Sequence, residues 1–226
     1  MAEVTYLGHS CFRLRGREGI IVMDPYHRAI GYDLGRPTAH IVTVSHQHPD
    51  HNNTAAVKPL RESVFIIDGP GEYEVGGIFI HGIQTYHDKE RGARLGRNTI
   101  YVVHLDGVVF CHLGDLGHEL NTTQIEEIGN VDVLFVPVGD GEWTLSPPEA
   151  AEVISEIEPR LVIPMHYAMP QLQFDAPLVP LDRFIHEMGL TDWQPEEKLV
   201  INASSATESA ETRVVILKPT NGQAVM

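Results

Sequence analysis

The chain has 226 residues, with 31 acidic side chains against 16 lysines and arginines, a formal net charge of −15 and a pI near 5.2. That balance argues against a broad basic face for nucleic acid or an anionic membrane. No apolar run approaches the ~20 residues that span a bilayer, and Met1 to Ser10 holds no charged-then-apolar leader, so the expectation is a cytoplasmic protein folded as one domain over residues 1–226.

The first third reads as short strands at Val4 to Leu7, Cys11 to Arg15, Ile20 to Met23 and His40 to Val44, each bounded by Gly, Pro or Asp. Strands follow at Val64 to Ile67, Ile78 to Ile83, Thr99 to Leu105 and Val108 to His112, with Asp106-Gly107 as a two-residue hairpin turn between the last pair. From there helix and strand alternate. Thr123 with Glu126 predicts a capping box for a short helix, Val131 to Val138 a buried strand, and Ser146 with Pro147 and Glu149 the start of a helix reaching about Ile157. Leu161 to Pro164 reads as a strand, Leu181 to Met188 as a helix closed by Gly189, and Thr212 to Leu217 as a final strand. The polar stretch Ala203 to Glu211 is expected to be a loop, and the residues from Asn221 to fray. A β-rich first half followed by alternating α and β calls for an α/β layer architecture. Cys11 and Cys111 make no C-x-x-C pair and are expected to be reduced and buried.

The chemistry concentrates in six residues. His46, Gln47, His48, Pro49, Asp50 and His51 follow directly on the apolar run Ile41 to Val44. Three imidazoles and a carboxylate on one strand-end loop suit zinc, manganese or iron, and are numerous enough for two ions. His46 and His48 have the spacing that turns two side chains the same way from an extended segment, and Pro49 redirects the chain before Asp50 and His51. His87 alone would be weak evidence, as His81 and His104 stand in apolar, strand-like runs nearby.

The H-x-H-x-D-H pattern resembles the signature of the metallo-β-lactamase superfamily. Further motifs follow in that family's order: His87 in Thr85-Tyr86-His87-Asp88, Asp115 in His112-Leu113-Gly114-Asp115, and His166 in Pro164-Met165-His166-Tyr167. With Gly8-His9-Ser10 and Gly114-Asp115-Leu116-Gly117-His118, they resemble more closely the branch containing L-ascorbate-6-phosphate lactonase, over about Val4 to Tyr167. The resemblance implies a four-layer αββα sandwich and two divalent ions, with zinc ahead of manganese or iron. His46, His48 and His87 would hold one ion, Asp50, His51 and His166 the other, and Asp115 would bridge them.

It further implies a metal-dependent hydrolase acting on a small-molecule lactone, ester or amide. A small-molecule phosphodiesterase and a non-catalytic metal-binding module are the alternatives. Asp50, His9, His118 and Tyr167 are the candidates for moving protons, and Asp24 is either a support for the site or loop architecture. His112 and His118 flank Asp115, where either could orient it. Lys89, Arg91, Arg94 and Arg97 crowd one segment of an acidic chain, which reads either as a solvated loop or as a clamp for an anionic substrate. The sequence is compatible with a homo-oligomer.

Overall fold

A computed structural model of the chain describes residues 1–139, 142–170, 172–173, 178–203 and 211–220. Two sheets face each other. The first is built from β1 (Ala2–Gly8), β2 (Cys11–Arg15), β3 (Ile20–Met23), β5 (Ile41–Thr43) and β7 (Phe65–Ile67), with β14 (Leu199–Ile201) returning to the free edge of β1. The second runs β15 (Arg213–Val214), β13 (Leu161–Met165), β12 (Val133–Pro137), β11 (Val108–His112), β10 (Arg97–Leu105), β9 (Ile78–Tyr86) and β8 (Gly71–Val75). A two-stranded ribbon pairs β4 (Thr38–Ala39) with β6 (Lys58–Pro59).

Strand direction decides where the chemistry can sit. In the first sheet β1, β2 and β3 are antiparallel neighbours and β5 is parallel to β3, so β1, β3 and β5 all point the same way. In the second, β9 and β10 are antiparallel, as are β10 and β11, while β11, β12 and β13 are parallel, so β9, β11 and β13 share a direction. With β7 parallel to β5, and β12 and β15 parallel to β13, each sheet therefore presents several carboxyl ends at one edge of the sandwich.

The core lies between the sheets. Tyr6, Phe12, Leu14, Ile21, Met23 and Ile41 from the first meet Tyr101, Phe110 and Phe135 from the second, all fully buried, and Phe12 packs on Phe135 at a ring separation of 4.3 Å. The interior strand β12 is buried at every residue, as a parallel strand covered on both faces requires. Asp106 and Gly107 take positive φ angles of 52° and 76°, the type I′ geometry that an Asp-Gly hairpin supplies.

The α-helices lie in the second half: α1 (Thr122–Ile128) against β9, and α2 (Pro147–Ile157) against α3 (Leu181–Glu187). Among the described residues between β1 and β7 only 3-10 turns appear, at Arg28–Ile30 and Thr54–Ala56. Ser146 caps α2 as expected, its N–H and Oγ both donating to Glu149 at 2.8 and 2.7 Å. The cap of α1 differs from the expectation. Asn121 accepts from the Gln124 N–H at 3.0 Å and Gln124 Oε1 accepts from the Asn121 N–H at 3.1 Å, so the box lies two residues before Thr123 and Glu126. The final strand is shorter than Thr212 to Leu217, because only Arg213 and Val214 pair in register with β13. The expected loop lies largely, at 204–210, and the expected frayed end wholly, at 221–226, outside the described residues. Both cysteines are buried and free. Among the described residues no helix is long and apolar enough to cross a membrane.

Candidate metal centre

The segments that follow β1, β3, β5, β9, β11 and β13 carry side chains into one buried cluster. His9 follows β1, Asp24 follows β3, and Ser45 to His51 follow β5. From the second sheet come His87 after β9, Asp115 three residues past β11, and His166 after β13. His46, Asp50, His51, His87, Asp115 and His166 are all buried, and only His48 keeps partial exposure.

Asp115 is the hub. Its Oδ2 lies 3.1 Å from His51 Nε2, 3.2 Å from His87 Nε2, 3.2 Å from His166 Nε2 and 3.7 Å from His46 Nε2. Around it, ligand-capable atoms fall into sets whose members lie within 4.8 Å of one another: His46, His48 and His87; His9, Asp50, His51 and His166; and His46, His51 and Asp115. The first set brings together His46, His48 and His87, and the second Asp50, His51 and His166 with His9.

The donor chemistry fits a metal. His46 Nε2, His51 Nε2, His87 Nε2 and Asp115 Oδ1 are buried with no hydrogen-bond partner, and an orphaned buried polar atom costs about 1–3 kcal/mol. Several orphans converging on one point are tolerable when a cation completes them. Imidazole nitrogen and carboxylate oxygen suit zinc, manganese and iron. Charge follows the same logic without an ion. Although burial disfavours it, ionised Asp115 is held well below the usual carboxylate range by His166 and His51, and Asp50 likewise by His51 and His9. His51 and His166 are raised against the effect of burial by those carboxylates, whereas burial pushes His46 and His48 down.

Surrounding groups hold these atoms in place. Asp24 Oδ2 accepts from His51 Nδ1 at 2.8 Å, which fixes the tautomer that leaves Nε2 facing the cluster, and Asp24 Oδ1 accepts from the Ser45 N–H at 2.8 Å. Ser45 Oγ meets His46 Nδ1 at 2.9 Å. Asn98 bonds the Asp115 N–H through Oδ1 at 3.0 Å and donates Nδ2 to the Leu113 carbonyl at 2.8 Å, so one buried amide sets the loop that carries the hub. Asp88 accepts four backbone N–H groups, from Glu90, Gly92, Arg94 and Leu95, and so winds the chain after His87 into a closed loop. Gly117 packs directly on the His87 carbonyl. His9, Asp24 and His166 adopt left-handed φ angles of 56°, 44° and 54°.

The sequence reading misses Asn98, Asp88 and Gly117. A buried Asn at the head of a strand is the one local signal for Asn98; the partners of the other two become visible only once β9 and the loop after β11 are brought together.

The residues expected to move protons separate. His9 and Asp50 sit inside the cluster, with His9 Nε2 3.0 Å from Asp50 Oδ2. His118 uses both ring nitrogens on the backbone, Nδ1 on the Glu119 carbonyl at 2.6 Å and Nε2 accepting from the Tyr86 N–H at 3.1 Å. Tyr167 is buried, and burial pushes its phenol well above the ordinary range. His112 donates Nε2 to the Ser10 carbonyl at 2.9 Å and takes the Gly114 N–H on Nδ1 at 3.1 Å, which ties the β1–β2 turn to the Asp115 loop. His81 and His104 stay on strands β9 and β10.

The basic segment also divides. Lys89 pairs with Glu149, and Arg94 with Glu142 at 3.4 Å. Arg97 instead lines a cavity of about 450 Å³ together with His46, Gln47 and His48, and Asp68 lies on the same wall.

Residues 3–166 match the family model described as a beta-lactamase superfamily domain. A metal-dependent hydrolase of the UPF0173 family from Thermococcus kodakarensis is 29% identical over 192 residues, 74% of this chain and 85% of the relative. A second, from Methanospirillum hungatei, is 31% identical over 185 residues, 73% of this chain and 82% of the relative. The crystal structure of an inferred zinc-dependent hydrolase of the metallo-β-lactamase superfamily from Thermotoga maritima is 37% identical, covers 96% of this chain and 98% of its own, and superposes with a TM-score of 0.77. With its histidines and aspartates gathered where the strands of two facing sheets end, and with this match across most of its length, the chain belongs to the metallo-β-lactamase superfamily.

Proposed function

We infer that the protein is a metal-dependent hydrolase whose centre takes two divalent ions, and that it cleaves a small-molecule lactone, ester or amide. The observation that carries this reading is the set of buried, unpartnered imidazole nitrogens aimed at Asp115. His46, His48 and His87 would hold one ion, Asp50, His51 and His166 the other, and Asp115 would lie between them. When bound, such ions supply Lewis acidity, lowering the pKa of water from 15.7 toward ~7 and opposing the charge that develops on the oxygen of the attacked carbonyl.

The rest is done by the chain. Asp24 and Ser45 fix the rings of His51 and His46, so the nitrogens need no reorganisation when the reaction begins. Asp50 faces the cluster through Oδ2, where it can accept the proton of the attacking water and return it to the departing oxygen or nitrogen. The cavity bordered by His46 and His48 has room for a small substrate, and Arg97 on its wall supports an anionic one. The likeness of Gly8-His9-Ser10 and Pro164-Met165-His166-Tyr167 to the lactonase branch favours carbonyl over phosphoryl cleavage.

The test is to reconstitute stripped protein with zinc and with manganese, count the ions by elemental analysis, and assay lactones, chromogenic esters, amides and phosphodiesters. About two ions per chain and turnover of a carbonyl substrate are expected. One ion or none refutes the dinuclear centre, and turnover of phosphodiesters alone refutes the substrate class.

A further inference from the structure

We propose that His9 is the positioning residue of the second ion site, its Nε2–H holding Asp50 in the orientation that lets the carboxylate share an ion with His51 and His166. This rests on the dinuclear reading above.

Four observations converge on this residue. His9 is 1% exposed, and its Nε2 lies 3.0 Å from Asp50 Oδ2. That oxygen is the one turned toward the other ligands, 3.4 Å from His51 Nε2 and 4.0 Å from His166 Nε2. An ionised carboxylate only accepts hydrogen bonds, so the His9 nitrogen facing it must carry the proton. A nitrogen that donates there has no lone pair for a metal. Although His9 Nε2 is near enough to His51 and His166 to be grouped with them, its bond to Asp50 therefore makes it an orienting group and not a fourth ligand.

The backbone of the same residue does a related job for another ligand. The His9 carbonyl accepts the His166 N–H at 3.1 Å and the Tyr6 hydroxyl at 2.7 Å. One residue of the β1–β2 turn thus holds Asp50 through its side chain and His166 through its main chain, and these two ligands come from different sheets. Its φ of 56° is unfavourable for a residue with a side chain. A turn that keeps histidine in such a conformation, with Gly8 at φ 105° beside it, is one in which the direction of the ring matters, as strain of this kind persists only where the surroundings enforce it.

The experiment compares wild type, His9→Ala and His9→Gln. Stripped proteins are titrated with zinc against a chromogenic chelator and, separately, with cobalt(II), whose visible absorption reports the geometry of each site as it fills. Apo-protein thermal unfolding is recorded alongside. Gln places an amide N–H close to where the imidazole carries its own, so it restores the bond to Asp50 but does not replace an imidazole ligand.

The expected result is a second-ion affinity lowered ~10–100-fold in His9→Ala, the range seen when partners of metal ligands are removed, with the first ion unaffected and His9→Gln recovering most of the loss. Both variants keep the backbone bond to His166, so a purely structural role of the turn would affect them alike. Equal impairment of Ala and Gln, or a second ion bound as tightly by His9→Ala as by wild type, overturns the proposal while leaving the dinuclear centre in place. A wild type that binds one ion overturns the dinuclear reading, and the proposal with it. None of these readouts depends on knowing the substrate.

Discussion

Gly117 gives the most direct handle on how the candidate metal centre is supported, because it is held by backbone that cannot swing aside. A Cβ at this position would overlap the His87 carbonyl oxygen and stand 2.5 Å from the carbonyl carbon and 2.8 Å from the Asp88 N–H nitrogen. Real Cβ contacts are essentially never closer than 3.0 Å, so Gly117→Ala must part the two segments by about 0.5 Å, which is the full tolerance within which a functional constellation works. Both sides are pinned. The Gly117 N–H donates to the Tyr86 carbonyl at 3.1 Å, and Asp88 is fastened by its four backbone bonds. Strain from overpacking runs to about 1–3 kcal/mol, and this site belongs at the upper end. At about 2–4 °C per kcal/mol for a chain of this size, the apo protein should melt roughly 6–12 °C lower. The first ion should also bind at least ~10-fold more weakly, as His87 is drawn away from His46 and His48. Gly69→Ala is the control, since nothing lies within 4 Å of its added carbon. Differential scanning calorimetry of both stripped variants, followed by zinc titration, decides the matter. If Gly117→Ala melts with Gly69→Ala and binds zinc normally, the contact does not position His87.

His48→Ala and Asp115→Asn should each reduce turnover by at least ~100-fold, while circular dichroism shows a folded protein, because both residues lie beyond strand ends; full activity in Asp115→Asn would mean that the hub carries no charge needed for the reaction. Once a substrate is known, Arg97→Ala should raise KM for its anionic form by roughly 10-fold in a manner that weakens with salt. Arg94→Ala, whose guanidinium already faces Glu142, should change KM less than about 2-fold, and equal effects at the two positions would remove Arg97 from the substrate cavity.

What could be read in advance depended on whether the signal was local. His46 to His51 announce themselves because six consecutive residues hold four ligand-capable side chains, and the strand before them is a plain apolar run. His87, Asp115 and His166 are single residues separated by tens of positions, and only the order of motifs in a resembling family separates them from His81 and His104. Asn98 offers only its place at the head of a strand and Gly117 only its place in the Gly114 to His118 motif, and neither shows its role, since their partners are brought together by the pairing of β9 with β10 and the return of the loop after β11. Most of the strands that escaped lack an apolar signature, the exception being β14, an apolar Leu-Val-Ile run only three residues long. β8 reads Gly-Glu-Tyr-Glu-Val with no buried residue, and β4 and β6 are two residues each. The cap of α1 was misplaced for a related reason: Asn121 and Thr123 are both good N-cap residues, and the choice falls to Asn121 because Gln124 also donates to the Gln84 carbonyl of β9 at 3.2 Å.

The two ends of the sandwich are closed in different ways. At the end away from the histidines, the hairpin residue Asp106 of the second sheet accepts the Arg17 N–H of the first at 3.0 Å and the Met1 ammonium at 2.9 Å, and its own N–H donates to Glu18 at 3.0 Å. Those bonds need nothing beyond the chain. At the other end the sheets meet through a cluster in which His46 Nε2, His51 Nε2, His87 Nε2 and Asp115 Oδ1 have no hydrogen-bond partner, so an ion there would act as a rivet between layers as well as a reagent. Chelation then becomes a mechanical event with a direction: amides around 44–51, 87–97 and 113–117 would lose protection against solvent exchange, while those flanking Asp106 would keep theirs. The fold would open from its working end, like a book whose spine is the Asp106 hairpin.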